Sequence, residues 1–432
     1  MSRLITAIEI DGAGGHPGAW RGPEVDPGAI LTGSLALRAV QRAEAAGIDI
    51  ATFVDTLEAP ADATGAVSVR LDALGLAARI APATSRIGLL PTITVTHTEP
   101  FHVQASVATL DYVSSGRGGW VADVSTSAAA ASVIGRREPA PAADLWREAR
   151  YVVDVSRRLW DSWDDDAIIR DAPTGRFIDR DRLHYVNYES PTFTIKGPSI
   201  VPRPPQGHPV TAVRVNTPEA LEAAGDAELV LLPGAENLAE RVERIRAAAR
   251  GAASGRRGAA AAAQPSPGAS ASANSTRSDG AAPVAGSASA GGDSSAGAAR
   301  TTSSAAGGQT SSSANSARSD GVEPGAGGGG PRVLVSVGVL IDEDRGAAER
   351  RAEGGAFDYV GGVEGLASLV REWQAAGVDG VHFRPASLEL DVPAIADRLL
   401  PLLQASKSER VVTLRSRLGL GRPANRYAEG AR

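Results

Sequence analysis

Residues 81–120 read APATSRIGLLPTITVTHTEPFHVQASVATLDYVSSGRGGW. Ile87–Val95 is an apolar run with threonine at alternate positions, a strand pattern. A helix-period stretch follows Pro100, and Gly116-Arg117-Gly118-Gly119 then opens a second strand-like run, Trp120–Val124. Strand, helix and strand in so short a span imply parallel pairing, the repeating unit of an α/β fold.

Outward from this unit the alternation recurs. Further strands are expected at Leu4–Ile10, Ile48–Val54, Val210–Val215, Leu229–Leu232, Val333–Ile341 and Val378–Phe383, which makes eight. The helices between them show apolar faces: Leu145, Ala149, Val152, Leu159 and Trp163 on one, Leu238, Val242, Ile245 and Ala249 on another, Val363, Leu366, Val370 and Trp373 on a third. Gly47, Gly251 and Gly377 stand where left-handed caps would end helices. Asp391 is the expected N-cap of the last helix, which turns Ile395, Leu399 and Leu402 inward. Eight β/α units favour closure into a (β/α)8 TIM barrel over an open doubly wound sheet, and no GxGxxG joins a strand to a helix.

Two segments break the alternation. Asp164–His208 is polar and aromatic with short alternations, and is expected to form a β-rich excursion between helix 4 and strand 5. Residues 252–330 are almost wholly Ala, Gly, Ser and Pro, and SANSTRSDG at 272–280 recurs as SANSARSDG at 313–321. Such a stretch buries too little apolar area to offset its ordering entropy, so a disordered spacer is expected there. It follows the sixth helix, in a helix-to-strand loop on the face of a barrel away from the chemistry, and the barrel domain is expected over 1–251 and 331–432.

Composition narrows the function. Apolar residues are 43% and charged residues 22% of the 432, ordinary for a protein with a large core. A net charge of −6 with no basic block excludes the footprint of a nucleic-acid binder. There is no run of about 18 apolar residues to span a membrane, and Met1–Ile10 has no signal-peptide pattern. Cysteine is absent, which removes disulfides, thiolate metal sites and a Cys nucleophile and fits a cytoplasmic location.

Barrel active sites lie at the C-terminal ends of the strands. Those ends carry His16 and Trp20 after strand 1, Asp55 after strand 2, Thr92, Thr94, Thr96 and His97 on and after strand 3, Ser125 after strand 4, Asn216 and Thr217 after strand 5, and His382 and Arg384 at strand 8. Asp55 could equally be a helix cap, and Thr217 an N-cap ahead of Pro218-Glu219. The free N–H groups at that helix start would also suit a phosphate. His184 sits in a similar loop-like context, whereas His102 and His208 read as structural. Asp164-Asp165-Asp166 reads as a solvated helix end, because no ligand-spaced partner follows.

These stretches resemble the bacterial-luciferase-like flavin-dependent monooxygenases, in the branch containing nitrilotriacetate, pristinamycin-synthesis and long-chain-alkane monooxygenases. The resemblance rests on GGHPGAWRGPE (14–24), the stretch at 81–120, LWDSWDDDA (159–167), TGRFIDRDRLHYVN (174–187), GPSIVPRPPQGHPV (197–210) and LGLGRPANRY (418–427). It implies a (β/α)8 barrel that uses reduced FMN from a separate flavin reductase, with O2, to oxygenate a small organic substrate, commonly as a homo-oligomer. Carried over by position, it implies flavin contacts from Asp55, Thr92 and Thr217, joined by the neighbouring Ser125 and Asn216; His16, Trp20 and His97 are expected to line the substrate side. The chain departs from the family pattern at Val121, at Leu145-Trp146 and at Val213-Arg214-Val215, where Arg214 offers a charge if it points inward. Those departures keep two rivals open: an F420-dependent dehydrogenase, and a flavin-binding or empty barrel without turnover.

Overall fold

The computed structural model describes residues 3–22, 25–58, 69–234, 237–262, 330–403 and 412–428. Eight strands alternate with helices: β1 Ile5–Ile10, β2 Ile50–Phe53, β3 Gly88–Thr94, β4 Gly119–Asp123, β5 Val210–Arg214, β6 Leu229–Pro233, β7 Arg332–Ile341 and β8 Gly380–Pro385. The principal helices are α1 Ser34–Ala46, α2 Ala73–Ile80, α3 Pro100–Val113, α4 Ala142–Trp160, α5 Ala220–Ala224, α6 Leu238–Ala262 and α7 Val363–Ala375. The last, α8, runs through Asp391–Pro393, a π-helical Ala394–Leu399 and Leu400–Leu402. All neighbouring strands pair in parallel in ring order, β8 pairs with both β1 and β7, and the β6–β7 pairing closes the barrel.

Two-residue periodicity sorts every strand. Ile8, Ala51, Leu89, Ala122, Val213, Val230, Val335 and Phe383 face outward beneath the helices. Ile5, Ala7, Ile50, Leu90, Val121, Val210, Ala212, Leu229, Leu231 and Leu334 fill the N-terminal half of the barrel. The C-terminal segment closes that end: a short helix, Leu414–Arg417, brings Leu414 and Leu418 into the same cluster. A Cβ at Gly88 would lie 2.7 Å from a Leu414 methyl, so any larger residue there would have to displace the Leu414 side chain.

The excursion folds as two antiparallel hairpins, Ile168–Asp171 with Arg176–Ile178 and Asn187–Glu189 with Thr194–Lys196. Asp161 anchors it. Its carboxylate takes hydrogen bonds from Arg203 (3.1 and 3.2 Å) and Arg426 (3.1 Å) and faces His208 at 3.0 Å. Asp165 pairs with Arg203 and Arg422, and Asp164 with His184, which stacks on Tyr427. The three acidic residues therefore bind arginine and histidine rather than water alone, and the stretches 159–167, 197–210 and 418–427 converge on this knot.

Several expectations change. Helix α6 does not stop at Gly251 but continues to Ala262, where alanines and arginines, good helix formers, outnumber Gly251, Gly255 and Gly258. The rest of the expected spacer, residues 263–329, lies outside the described residues. The chain divides into one unit made of Met1–Gly258 and Pro324–Arg432 and a second, Ala259–Glu323, of which only the end of α6 is described. Asp391 is not an N-cap: it lies inside the first turn of α8, fully buried, accepting from Ile341 N (2.9 Å) and Ser387 N (2.6 Å) and pairing with Arg351. Leu402 is exposed, whereas Ile395 and Leu399 are buried. Gly47 and Gly377 do adopt the left-handed conformation past their helices. Among the described residues no helix is long and apolar enough to cross a membrane.

Candidate active site at the C-terminal mouth of the barrel

Moving two residues along six of the eight strands from the apolar inner layer, the inward side chains turn polar: Ala7 gives way to Glu9, Ile50 to Thr52, Leu90 to Thr92, Val121 to Asp123, Ala212 to Arg214 and Leu334 to Ser336. These groups form the floor of the mouth. Arg214 Nη2 reaches Glu9 across the barrel at 2.8 Å. Burial pushes the Asp123 carboxyl above its ordinary range, offset by its hydrogen bond from Val124 N and by the Arg214 charge. His382 is fully buried between hydroxyls, Nε2 at 2.8 Å from Thr52 and Nδ1 at 2.9 Å from Ser336. Burial, with Arg214 and Arg384 nearby, holds its pKa well below that of free histidine, so it is neutral.

Above the floor, Asp55 leaves β2 and accepts from Thr56 N (2.8 Å) and Ala73 N (2.9 Å), fixing the start of α2. Burial raises its pKa, and those two bonds oppose the rise. Asp55 thus serves the helix start and still lines a cleft of about 350 Å³, together with Thr56, Thr92, Thr94, Thr98 and His102. The Thr92 hydroxyl is buried with no hydrogen-bond partner among the described residues. Ser125 Oγ lies 2.6 Å from Thr94 Oγ1, and its N–H donates to Thr96 Oγ1 at 2.9 Å, so these three residues lock β3 to β4. His97 sits beside the Arg137–Glu148 ion pair with Nδ1 buried and unpartnered among the described residues; burial and Arg137 lower its pKa.

Asn216 and Thr217 are exposed and line a second cleft of about 200 Å³, between α5 and α6, with Leu221, Arg241, Arg244 and Ile245. Helix α5 starts behind Glu219 and no side chain caps it, so Thr217 is not an N-cap. The structure therefore pairs Asp55 with Thr92 at one cleft, and Asn216 with Thr217 at another, two strands further round the ring.

His16 and Trp20 line neither cleft. His16 Nδ1 accepts from Gly18 N (2.9 Å), Nε2 lies 3.1 Å from the Glu353 carbonyl, and the ring stacks on Phe357. One neutral tautomer, protonated on Nε2, satisfies both contacts. Trp20 packs on the core and carries Arg21 over its ring. Sequence reasoning placed Asp123 at the end of strand 4 but passed over Glu9, Thr52 and Ser336. Their signal was a polar residue at an inward register position of an otherwise apolar strand, legible only once the inward set is known.

A family model described as luciferase-like monooxygenase matches residues 24–379. Nitrilotriacetate monooxygenase component A of Aminobacter aminovorans is 31% identical over 240 residues, 53% of this chain and 53% of that protein. N-acetyl-S-(2-succino)cysteine monooxygenase of Bacillus subtilis is 31% identical over 208 residues, 48% of this chain and 47% of that protein. The chain spans about half the length of these curated relatives. Among solved structures, EDTA monooxygenase from a Chelativorans species has the same fold, with a TM-score of 0.71 at 18% identity over 97% of this chain and 99% of that one. On the match of the family model to most of its length, the chain belongs to the luciferase-like monooxygenase family.

Proposed function

We propose that this protein is the oxygenase of a two-component system, taking reduced FMN from a separate flavin reductase and inserting oxygen from O2 into a small organic substrate at the C-terminal mouth of the barrel. Reduced flavin, when bound, supplies the two electrons that let O2 place one atom in the substrate and release the other as water.

The observation that carries this reading is the Thr92 hydroxyl, buried at a cleft with no hydrogen-bond partner among the described residues. A buried polar group without a partner carries a desolvation penalty that a ligand's polar edge removes. The residues around it fit a flavin. Asp55 uses its oxygens on two backbone N–H groups and keeps lone pairs for a ring N–H. The exposed amide and hydroxyl of Asn216 and Thr217 suit a phosphate, and two strand spacings, about 10 Å, match the reach from a flavin ring to its phosphate. Below, the neutral His382 and the Glu9–Arg214 pair make a fixed polar floor that needs no rearrangement to receive a ring. His97, with its lowered pKa, is suited to accept a proton at Nδ1 on the substrate side.

Anaerobic titration of the purified protein with reduced FMN and with reduced F420 tests the reading. Binding of reduced FMN, followed by O2 uptake on mixing with air, is the expected result. Preference for F420 would move the protein to the dehydrogenases, and binding of neither would leave a barrel without a cofactor.

A further inference from the structure

The cleft between α5 and α6 has a charge pattern unlike the rest of the molecule. Arg241 and Arg244 lie three residues apart on α6, on the same side of the helix, and both line the cleft beside Asn216 and Thr217. Several other half-buried or buried arginines meet carboxylates, Arg150 with Asp226, Arg157 with Glu228, Arg203 with Asp161 and Arg214 with Glu9, whereas Arg117 spends its guanidinium on the Ala81, Thr84 and Ile87 carbonyls. Arg241 instead donates to the Pro233 carbonyl at 2.9 Å, and neither arginine of the cleft forms an ion pair among the described residues. Glu243, between them in sequence, turns to Arg246 and Arg250. Burial and the neighbouring Arg244 charge lower the Arg241 pKa, the response of a cation facing another cation. The two lie in the opening turns of a long helix, whose N-terminal dipole also disfavours positive charge. Two cations that no carboxylate among the described residues neutralises weaken the helix, and an anion in the cleft reverses that cost.

We propose that Arg241 and Arg244 bind the terminal phosphate monoester of the flavin and so select FMN over cofactors that end in a neutral ribityl chain or a singly charged phosphodiester. The inference rests on the flavin reading above. A monoester near neutral pH carries close to two charges and three acceptor oxygens. Two guanidinium groups match both the charge and the fork geometry, and Thr217 and Asn216 add neutral donors from the other wall. A phosphodiester offers one charge and fewer free oxygens, so it gains less from the second arginine.

The test is anaerobic ultrafiltration binding of reduced FMN and reduced riboflavin to the full chain and to Arg241→Ala, Arg244→Ala and Arg244→Lys, each checked by its melting temperature. The native protein should hold FMN at least about tenfold more tightly than riboflavin, the size expected of a charge-assisted contact. Each alanine variant should lose about tenfold in FMN affinity, Arg244→Lys should retain part of it, and riboflavin affinity should stay within about twofold. FMN binding that both alanine variants leave untouched would overturn the proposal while sparing the flavin reading. Failure of either flavin to bind the native protein would remove both.

Discussion

Glu9 and Arg214 meet at 2.8 Å from β1 and β5, strands on opposite sides of the ring, and so form a charged tie across the barrel just above its apolar layer. Their side chains retain 11% and 16% of their exposure, low enough that an uncompensated charge there is costly. Arg214→Met leaves Glu9 and Asp123 as two buried carboxylates without their shared cation and is expected to cost about 3–5 kcal/mol in urea unfolding. Glu9→Met combined with Arg214→Met should recover much of that loss. A single Arg214→Met variant within about 1 kcal/mol of the parent would show that water, not arginine, solvates Glu9.

Thr92 carries opposite consequences for stability and binding. Thr92→Val replaces a buried hydroxyl that has no partner among the described residues with a methyl of the same shape, so the ligand-free protein should gain about 1 kcal/mol. The same change removes a donor from the cleft that Asp55 lines and, on the proposed flavin reading, should weaken reduced FMN by about tenfold. Thermal melts and flavin titration of one preparation check both halves. A variant less stable than the parent would mean that the hydroxyl already has a partner.

Asp111 supplies a pH dependence with a defined sign. It is fully buried under Gln206, whose amide donates at 2.6 Å and whose backbone N–H donates at 3.1 Å, and burial pushes its pKa from 3.8 up to about 6. A carboxyl whose folded value exceeds its unfolded value binds its proton more tightly when folded. Ionisation of Asp111 therefore opposes folding above about pH 6, and the opposition fades as pH falls toward 4, by an amount on the order of 3 kcal/mol. Relative to Asp111→Asn, the native protein should lose melting temperature as pH rises from 4 to 6 and stay level above that. A difference between the two that does not vary with pH would place the ionisation of Asp111 outside this window.

Residues 263–329 stand in the sequence between α6 and β7, and β7 begins at the end of the barrel opposite the mouth. Their composition lacks core-forming residues. Replacing them with a Gly/Ser linker of about 20 residues should leave the melting temperature and reduced-FMN affinity nearly unchanged, because loop-closure entropy varies slowly with length. Unfolding of that variant would show that the segment supplies contacts its composition does not suggest.

The barrel was legible in the chain because strand and helix periods are local: the stretch at 81–120 declares two strands and the helix between them, six further strands declare themselves in the same way, and eight parallel units leave few ways to close. The β-rich excursion was legible for the same reason, from its short alternations. Helix ends were less so. Gly251 lost to the alanines behind it, and Asp391 became a buried anchor for β7 rather than a cap, because its partners Ile341 and Arg351 lie far away in sequence.

Of the candidate site, the sequence by itself determined which residues stand at strand ends, since that follows from element order alone. Only the tertiary structure decided their company. Asp55 shares a cleft with Thr92, whereas Thr217 faces two arginines on α6. His16 spends its ring nitrogens on its own loop and on Glu353, and Arg214 is bound to a glutamate more than two hundred positions away. Periodicity tells whether a side chain points inward; what it meets there depends on ring closure and strand stagger, which no local stretch of chain encodes.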